Sequence, residues 1–291
     1  NPVYYDDYAT YLIKWIKAFE EAGIPIYSIT PQNEPLNRGN SASLFMGWKE
    51  QADFIKGSLG PQMKAAGLHT KIYAFDHNYD YDRIEGQQSY PVRIYEDRET
   101  SPYVTGAAYH NYSGNKNELN RIHEAYPDKE LVFTETSIGT WNDGQNLRKR
   151  LMEDMREVGL GTVNNWCRGV IVWNLMLDSE RGPNREGGCQ TCYGAVDIDK
   201  SDYKTITRNS HYYVIGHLSA VVRPGAYRIR SNGYKADGLV YSAFINPDRS
   251  FAFVALNDAP KEQSFTLSDG ESIFKCILPP YSVASYRLSN K

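Results

Sequence analysis

Polar and apolar positions along this 291-residue chain fall into two textures. Up to about residue 222, segments with an apolar residue every three or four positions alternate with short runs that are apolar almost throughout. The first helical stripe, within residues 6–22, is Tyr8, Leu12, Trp15, Ile16 and Phe19. Asp6 and Asp7 open it, where a helix dipole favours negative charge, and Gly23 closes it. Ile26 to Thr30 then reads as a strand stopped by Pro31. The alternation repeats: a helix carrying Trp48, Ala52, Ile55 and Leu59 and a strand at 71–75; a short helix at 92–96 and a strand at 104–109; a helix at 118–126 and a strand at 131–134; a long helix at 145–158 and a strand at 169–173; a last helix at 212–222. From Arg223 the pattern shortens to alternating strands at 227–230, 239–245, 251–256, 264–267, 272–278 and 282–288. Turn signals such as Asn232-Gly233, Asn246-Pro247-Asp248 and Asp269-Gly270 separate them.

Five strands alternating with helices predict right-handed crossovers and a parallel sheet whose carboxyl ends face one site. An open doubly wound sheet shares the alternation, but no Gly-rich phosphate turn follows any strand, so a barrel is the better reading. The expectation is an α/β domain over 1–222, a (β/α) TIM-type barrel, followed by an all-β sandwich over 223–291. A full barrel needs eight strand–helix units and five are readable, so three are expected in front.

Composition adds little and removes much. With 41% hydrophobic and 23% charged residues the chain is globular, and a net charge of −3 argues against nucleic acid or an anionic membrane as a main partner. No apolar run approaches the ~20 residues of a membrane helix. The 23 tyrosines have apolar faces and polar tips, which suit sugar binding as well as core packing. Cys167 and Cys276 lie in apolar stretches and read as buried thiols. Cys189-Gln190-Thr191-Cys192 is open between a local disulfide and two free thiols; zinc would need more ligands than the chain offers, and no metal or other cofactor is expected.

The candidate chemistry sits where strands run out. Glu34 follows the strand at 26–30 in Ile-Thr-Pro-Gln-Asn-Glu-Pro, and Glu135 follows the strand at 131–134 in Leu-Val-Phe-Thr-Glu-Thr. Acid/base catalysis and helix capping or ion pairing both account for such acids. Asp76 and His77 end the strand at 71–75, and His110 ends the strand at 104–109.

The stretch Gly23-Ile24-Pro25-Ile26-Tyr27-Ser28-Ile29-Thr30-Pro31-Gln32-Asn33-Glu34-Pro35 resembles the fourth-strand motif of glycoside hydrolase family 30, which includes glucosylceramidases and endo-β-1,6-glucanases. Asp53-Phe54-Ile55, Leu59-Gly60-Pro61, Tyr109-His110-Asn111-Tyr112, Phe133-Thr134-Glu135 through Gly139, Trp173-Asn174-Leu175 and Gly216-His217-Leu218-Ser219 resemble that family in the same order. The resemblance implies strands four to eight of a (β/α)8 barrel with an attached sandwich. It implies a retaining β-glycosidase acting on β-linked glucose, an endo-β-1,6-glucanase or a glucosylceramidase-like β-glucosidase. Related xylanase, galactanase and fucosidase specificities, and a glycan-binding remnant without turnover, are the alternatives. Glu34 would be the acid/base, with a raised pKa, and Glu135 the nucleophile.

Asn33 resembles the residue bonding the sugar 2-hydroxyl, with a turn asparagine as its rival. Tyr112 resembles the tyrosine holding the nucleophile, and His110 would line the pocket or serve only structure. Trp173 resembles the platform on which a pyranose stacks, with core packing as its rival, and Trp141 would stack at the rim. Asp76 and His77 would bond sugar hydroxyls. The loop 36–41 and the run 182–189 resemble bacterial polysaccharide-degrading members. A carbohydrate substrate, the missing amino-terminal part as partner, and a secreted or periplasmic location complete the expectation.

Overall fold

A computed structural model describes residues 1–39, 44–231 and 233–288, so residues 40 and 41 of the loop 36–41, and Asn232 of the Asn-Gly turn, lie outside the described residues. The chain divides into two compact units. One comprises Asn1–Thr134 with Trp166–Gly169, and the other Glu135–Asn165 with Val170–Lys291.

The first unit is built on a five-stranded parallel half-barrel: β1 (Ser28–Ile29), β2 (Lys71–Asn78), β3 (Gly106–His110), β4 (Glu130–Glu135) and β5 (Cys167–Val170), in that order, the last residues of β4 and β5, Glu135 and Val170, being counted in the second unit. β1 pairs with β2 through Ser28↔Lys71 and Ile29↔Ile72, and β2 pairs with β3 from Tyr73↔Gly106 to Asn78↔His110. All of β3, and β2 from Ile72 onward, are buried, because strands covered on both faces need no polar alternation. That is why these runs read as continuously apolar. Gly106 is required where it stands, since a Cβ there would collide with the Glu130 carbonyl.

The helix Tyr5–Glu21 buries Ala9 and Ile16. A second helical stretch runs from Trp48–Phe54 through a π-turn at Ile55–Leu59 into Gly60–Ala65. Such a turn admits one extra residue into a helix without ending it.

In the second unit, strands Tyr227–Ile229, Leu239–Ile245, Phe251–Asn257 and Ser282–Leu288 form an antiparallel sheet, and Gln263–Ser268 pairs with Ile273–Leu278. The strand Phe251–Asn257 is buried on both sides. Phe253 and Ala255 meet Phe265, Cys276 and Leu278 to form the sandwich core. Ala252, Val254 and Leu256 instead meet Met152, Met155 and Leu160 of the helical stretch 147–164, and Val214 of the helix Ser210–Ser219. The sequence texture changes at 223, yet these helices share a core with the strands beyond it, so the compact units divide the chain elsewhere.

One expected strand is corrected: 169–173 is Cys167–Val170, shifted towards the amino terminus. Beyond it the Trp173 N–H donates to the Thr136 carbonyl (2.8 Å), and the β-favouring residues 171–173 lie outside the strand.

The helices of this unit enclose a polar network. Arg150 pairs with Asp154, which also accepts from Ser210 Oγ (2.6 Å). His211 beside them is fully buried, and neither ring nitrogen has a hydrogen-bond partner among the described residues. Burial, then the charge of Arg150, lowers its pKa from 6.5 to about 3. As pH falls through that window the unfolded chain takes up a proton the fold refuses, so stability falls with pH. Between pH 7 and pH 5 denaturant titration is expected to show about 2 kcal/mol of loss from this residue, which His211→Phe removes. His217 and His77, also lowered, leave a residual slope of the same sign in that variant.

Candidate active site

Past β1 the backbone turns sharply, and Glu34 adopts a left-handed φ of 45°. Its N–H donates to the Asp76 carbonyl (3.0 Å) and its own carbonyl accepts from the Asn37 N–H (2.9 Å), which pins the loop to the end of β2. The residue is 6% exposed. Oε2 accepts from Asn37 Nδ2 at 2.8 Å, and Oε1 lies 3.1 Å from His110 Nδ1 and 3.9 Å from His77 Nε2. Burial raises the carboxyl pKa, but the hydrogen bonds from His110 and Asn37 and the nearby imidazoles outweigh it and hold the group at about 2. The raised pKa expected for an acid is thus absent from the unliganded chain, because the partners that orient the carboxylate also stabilise its charge.

Asp76 reaches its place through a bulge. The β2–β3 register passes from Phe75↔Ala108 directly to His77↔Tyr109, and Phe75 and Asp76 have φ of 71° and 67°. Left-handed backbone costs a residue with a Cβ roughly 1–2 kcal/mol. The return is an inward carboxylate that accepts from Thr30 Oγ1 and Thr134 Oγ1, both at 2.6 Å, and lies 3.1 Å from His110 Nε2. Burial pushes the Asp76 pKa up, and the hydrogen bonds from His110, Thr134 and Thr30 bring it below the usual value. His110 therefore bridges two carboxylates, one at each ring nitrogen.

Asp76 and His77, expected as sugar contacts, lie within the fold with protein partners. Both are buried; the Asp76 carboxylate is taken by Thr30, Thr134 and His110, and His77 Nε2 lies 3.0 Å from Asp82 Oδ2. They stand behind Glu34 and support it. Asn33 precedes the acid, and its carbonyl accepts from Gln32 Nε2 (3.1 Å). Tyr112, 42% exposed, sets its ring edge-on to His110 at 6.1 Å, with its N–H donating to Asn78 Oδ1 (3.1 Å). Glu135 is the last residue of β4, directly after Thr134. In the second unit Trp141 and Trp173 are 53% and 36% exposed, each with ring surface available for stacking.

Sequence reasoning missed Asn37, Thr30 and Thr134. A signal existed for the threonines: each is the final residue of the apolar run that delivers an acid.

Cys189 and Cys192 are joined by a disulfide, while Cys167 and Cys276 are free and buried. Thiol titration in denaturant is expected to find two free thiols before reduction and four after it. Four before reduction would rule the bridge out.

A parallel half-barrel with an acid beyond one strand and another closing a second, joined to an antiparallel sandwich, has the layout of a TIM-barrel hydrolase. The profile of the glycosyl hydrolase family 30 TIM-barrel domain matches residues 1–222, and that of the family 30 β-sandwich domain matches residues 225–286. The chain belongs to glycosyl hydrolase family 30.

Among known structures, the endo-β1,6-glucanase BT3312 is 67% identical with a TM-score of 0.98, covering 100% of this chain and 64% of that one. Endo-1,6-β-D-glucanase BGN16.3 of Trichoderma harzianum is 34% identical over 86% of this chain and 49% of its own length. The lysosomal acid glucosylceramidase of Mus musculus is 25% identical over 98% of this chain and 56% of its own length. The chain thus spans about half the length of the curated relatives it matches.

Proposed function

We propose that this chain carries the two catalytic carboxylates of a retaining β-glycoside hydrolase acting on β-1,6-linked glucan. Glu34 is the acid/base and Glu135 the nucleophile. The observation that carries the reading is the buried assembly of Glu34, His110 and Asp76 at the carboxyl edge of a parallel sheet that also ends in Glu135. The choice of glucan rests on the likeness to BT3312.

A retaining mechanism needs the carboxyls ~5–5.5 Å apart, one protonating the leaving oxygen while the other attacks the anomeric carbon. Held at about 2, Glu34 rests ionised, so its proton must arrive with substrate. A glycan that excludes water and places an ether oxygen against the carboxyl raises its pKa, as does a second carboxylate nearby. Asn33, Tyr112, Trp141 and Trp173 bind and orient the sugar in this reading, Trp173 by stacking on its C–H face.

A second reading is a glycan-binding remnant without turnover. Hydrolysis of β-1,6-glucan by this chain separates the two: turnover that Glu135→Gln removes supports the enzyme, and saturable binding without turnover supports the remnant. The Cys189–Cys192 bridge favours a secreted or periplasmic location.

A further inference from the structure

We propose that Gln51, in the helix Trp48–Phe54, is a positioning residue for the acid Glu34 and acts through the bulge in β2. The inference rests on the functional reading above and adds a residue remote from the sugar to its machinery.

Two consecutive residues with side chains hold left-handed backbone inside a strand only where the surroundings over-determine them. Two contacts do so at Phe75. Its ring sits among Tyr81, Tyr90 and Tyr109, with centroids 5.0, 5.0 and 5.3 Å away. Its N–H is met by a side chain, donating to Gln51 Oε1 at 2.9 Å.

Gln51 is fully buried, and its Nε2 has no hydrogen-bond partner among the described residues. A buried amide donor without a partner is costly, so a glutamine at this position is explained by its oxygen. Leucine or methionine would fill the same space without that cost, but neither could accept from Phe75. The amide orientation follows as well, since the Phe75 N–H requires an acceptor opposite it.

The next residue carries the consequence. The Asp76 carbonyl accepts the Glu34 N–H, and its carboxylate meets Thr30, Thr134 and His110, the last of which bonds the Glu34 carboxylate. Both the backbone and the side chain of the acid therefore depend on where Asp76 lies, and Gln51 helps to hold the turn that puts it there. Without that acceptor the bulge relaxes and the acid shifts away from the glycosidic oxygen.

The test compares Gln51→Met, which keeps the volume and loses the acceptor, with Gln51→Glu, which keeps an acceptor oxygen. On β-1,6-glucan, Gln51→Met is expected to lower kcat by about 10- to 100-fold with KM within about twofold, and Gln51→Glu to recover most of the loss. A packing role alone would lower the melting temperature without this split. Wild-type kcat in folded Gln51→Met overturns the proposal.

Should Gln51→Met not fold, Gln51→Asn, whose shorter reach withdraws the oxygen, is expected to show the same loss of kcat, and wild-type kcat there overturns the proposal equally. Amide exchange provides a readout independent of turnover: the Phe75 and Glu34 amides are expected to lose protection together in Gln51→Met and regain it in Gln51→Glu. Unchanged protection at Glu34 overturns the inference even if the chain hydrolyses no glucan, an outcome that would by itself count against the functional reading only.

Discussion

Glu135→Gln is expected to abolish β-1,6-glucan hydrolysis, and Glu34→Gln to lower kcat by about 10²- to 10⁴-fold, the usual contribution of a positioned acid or base. The two losses differ in kind. Without the Glu135 carboxylate no covalent glycosyl-enzyme forms, whatever the leaving group. Without the Glu34 proton the first step suffers in proportion to the basicity of the departing oxygen. An aryl β-glucoside, whose phenolate leaves unaided, should therefore be released by Glu34→Gln with a burst followed by slow turnover, and not at all by Glu135→Gln. Equal losses on glucan and on aryl glucoside in both variants would show that the two acids do not divide the roles as assigned.

The second large effect is expected at Asp76. Its buried carboxylate gathers two threonine hydroxyls and the His110 ring. Asp76→Ala leaves these groups unpaired in a dry environment and removes the negative charge opposite an imidazole, a change expected to cost about 3–5 kcal/mol. Denaturant unfolding at neutral pH measures this directly. Asp76→Asn keeps the shape and the acceptor oxygen, and it should lose less stability while still lowering kcat, because the ring that bonds Glu34 is then held less firmly. An Asp76→Ala protein as stable as the wild type would show that this cluster does not anchor the ends of β1, β2 and β4.

Much of this framework was legible in the sequence because short apolar runs mark the parallel strands, those of β2 and β3 being buried on both faces, and polar residues at the ends of such runs lie at the carboxyl edge. His110 and Glu135 were located in this way, and Glu34 a few residues beyond the run at 26–30. Asp76 was located too, but its pairing with Thr30, Thr134 and His110 was not. Nothing in Ala-Phe-Asp-His announces a bulge, since left-handed backbone is written into sequence mainly by glycine, and here Phe75 and Asp76 adopt it under tertiary constraint.

The low pKa of Glu34 was equally hidden. Its cause is the meeting of residues 34, 37, 77 and 110, and only the folded chain brings them together. Ile171 to Trp173 misled in the opposite direction, with strong β propensity in residues that leave the ladder. The change of texture at residue 223 marks where strands replace helices, whereas the apolar packing of Met152, Met155 and Val214 on Val254 and Leu256 crosses that point.

The most direct test of the account is chemical trapping. A 2-deoxy-2-fluoro-β-glucosyl donor with a good leaving group slows the oxocarbenium-like transition states and lets the covalent intermediate accumulate. Incubation with this chain, proteolysis and mass spectrometry should then find the fluoroglucosyl group on Glu135, with the accumulated ester persisting longer in Glu34→Gln because the base for its hydrolysis is gone. A label on any other carboxylate, or glucan hydrolysis that continues in Glu135→Gln, would contradict the assignment of these two acids to one glycosidic bond.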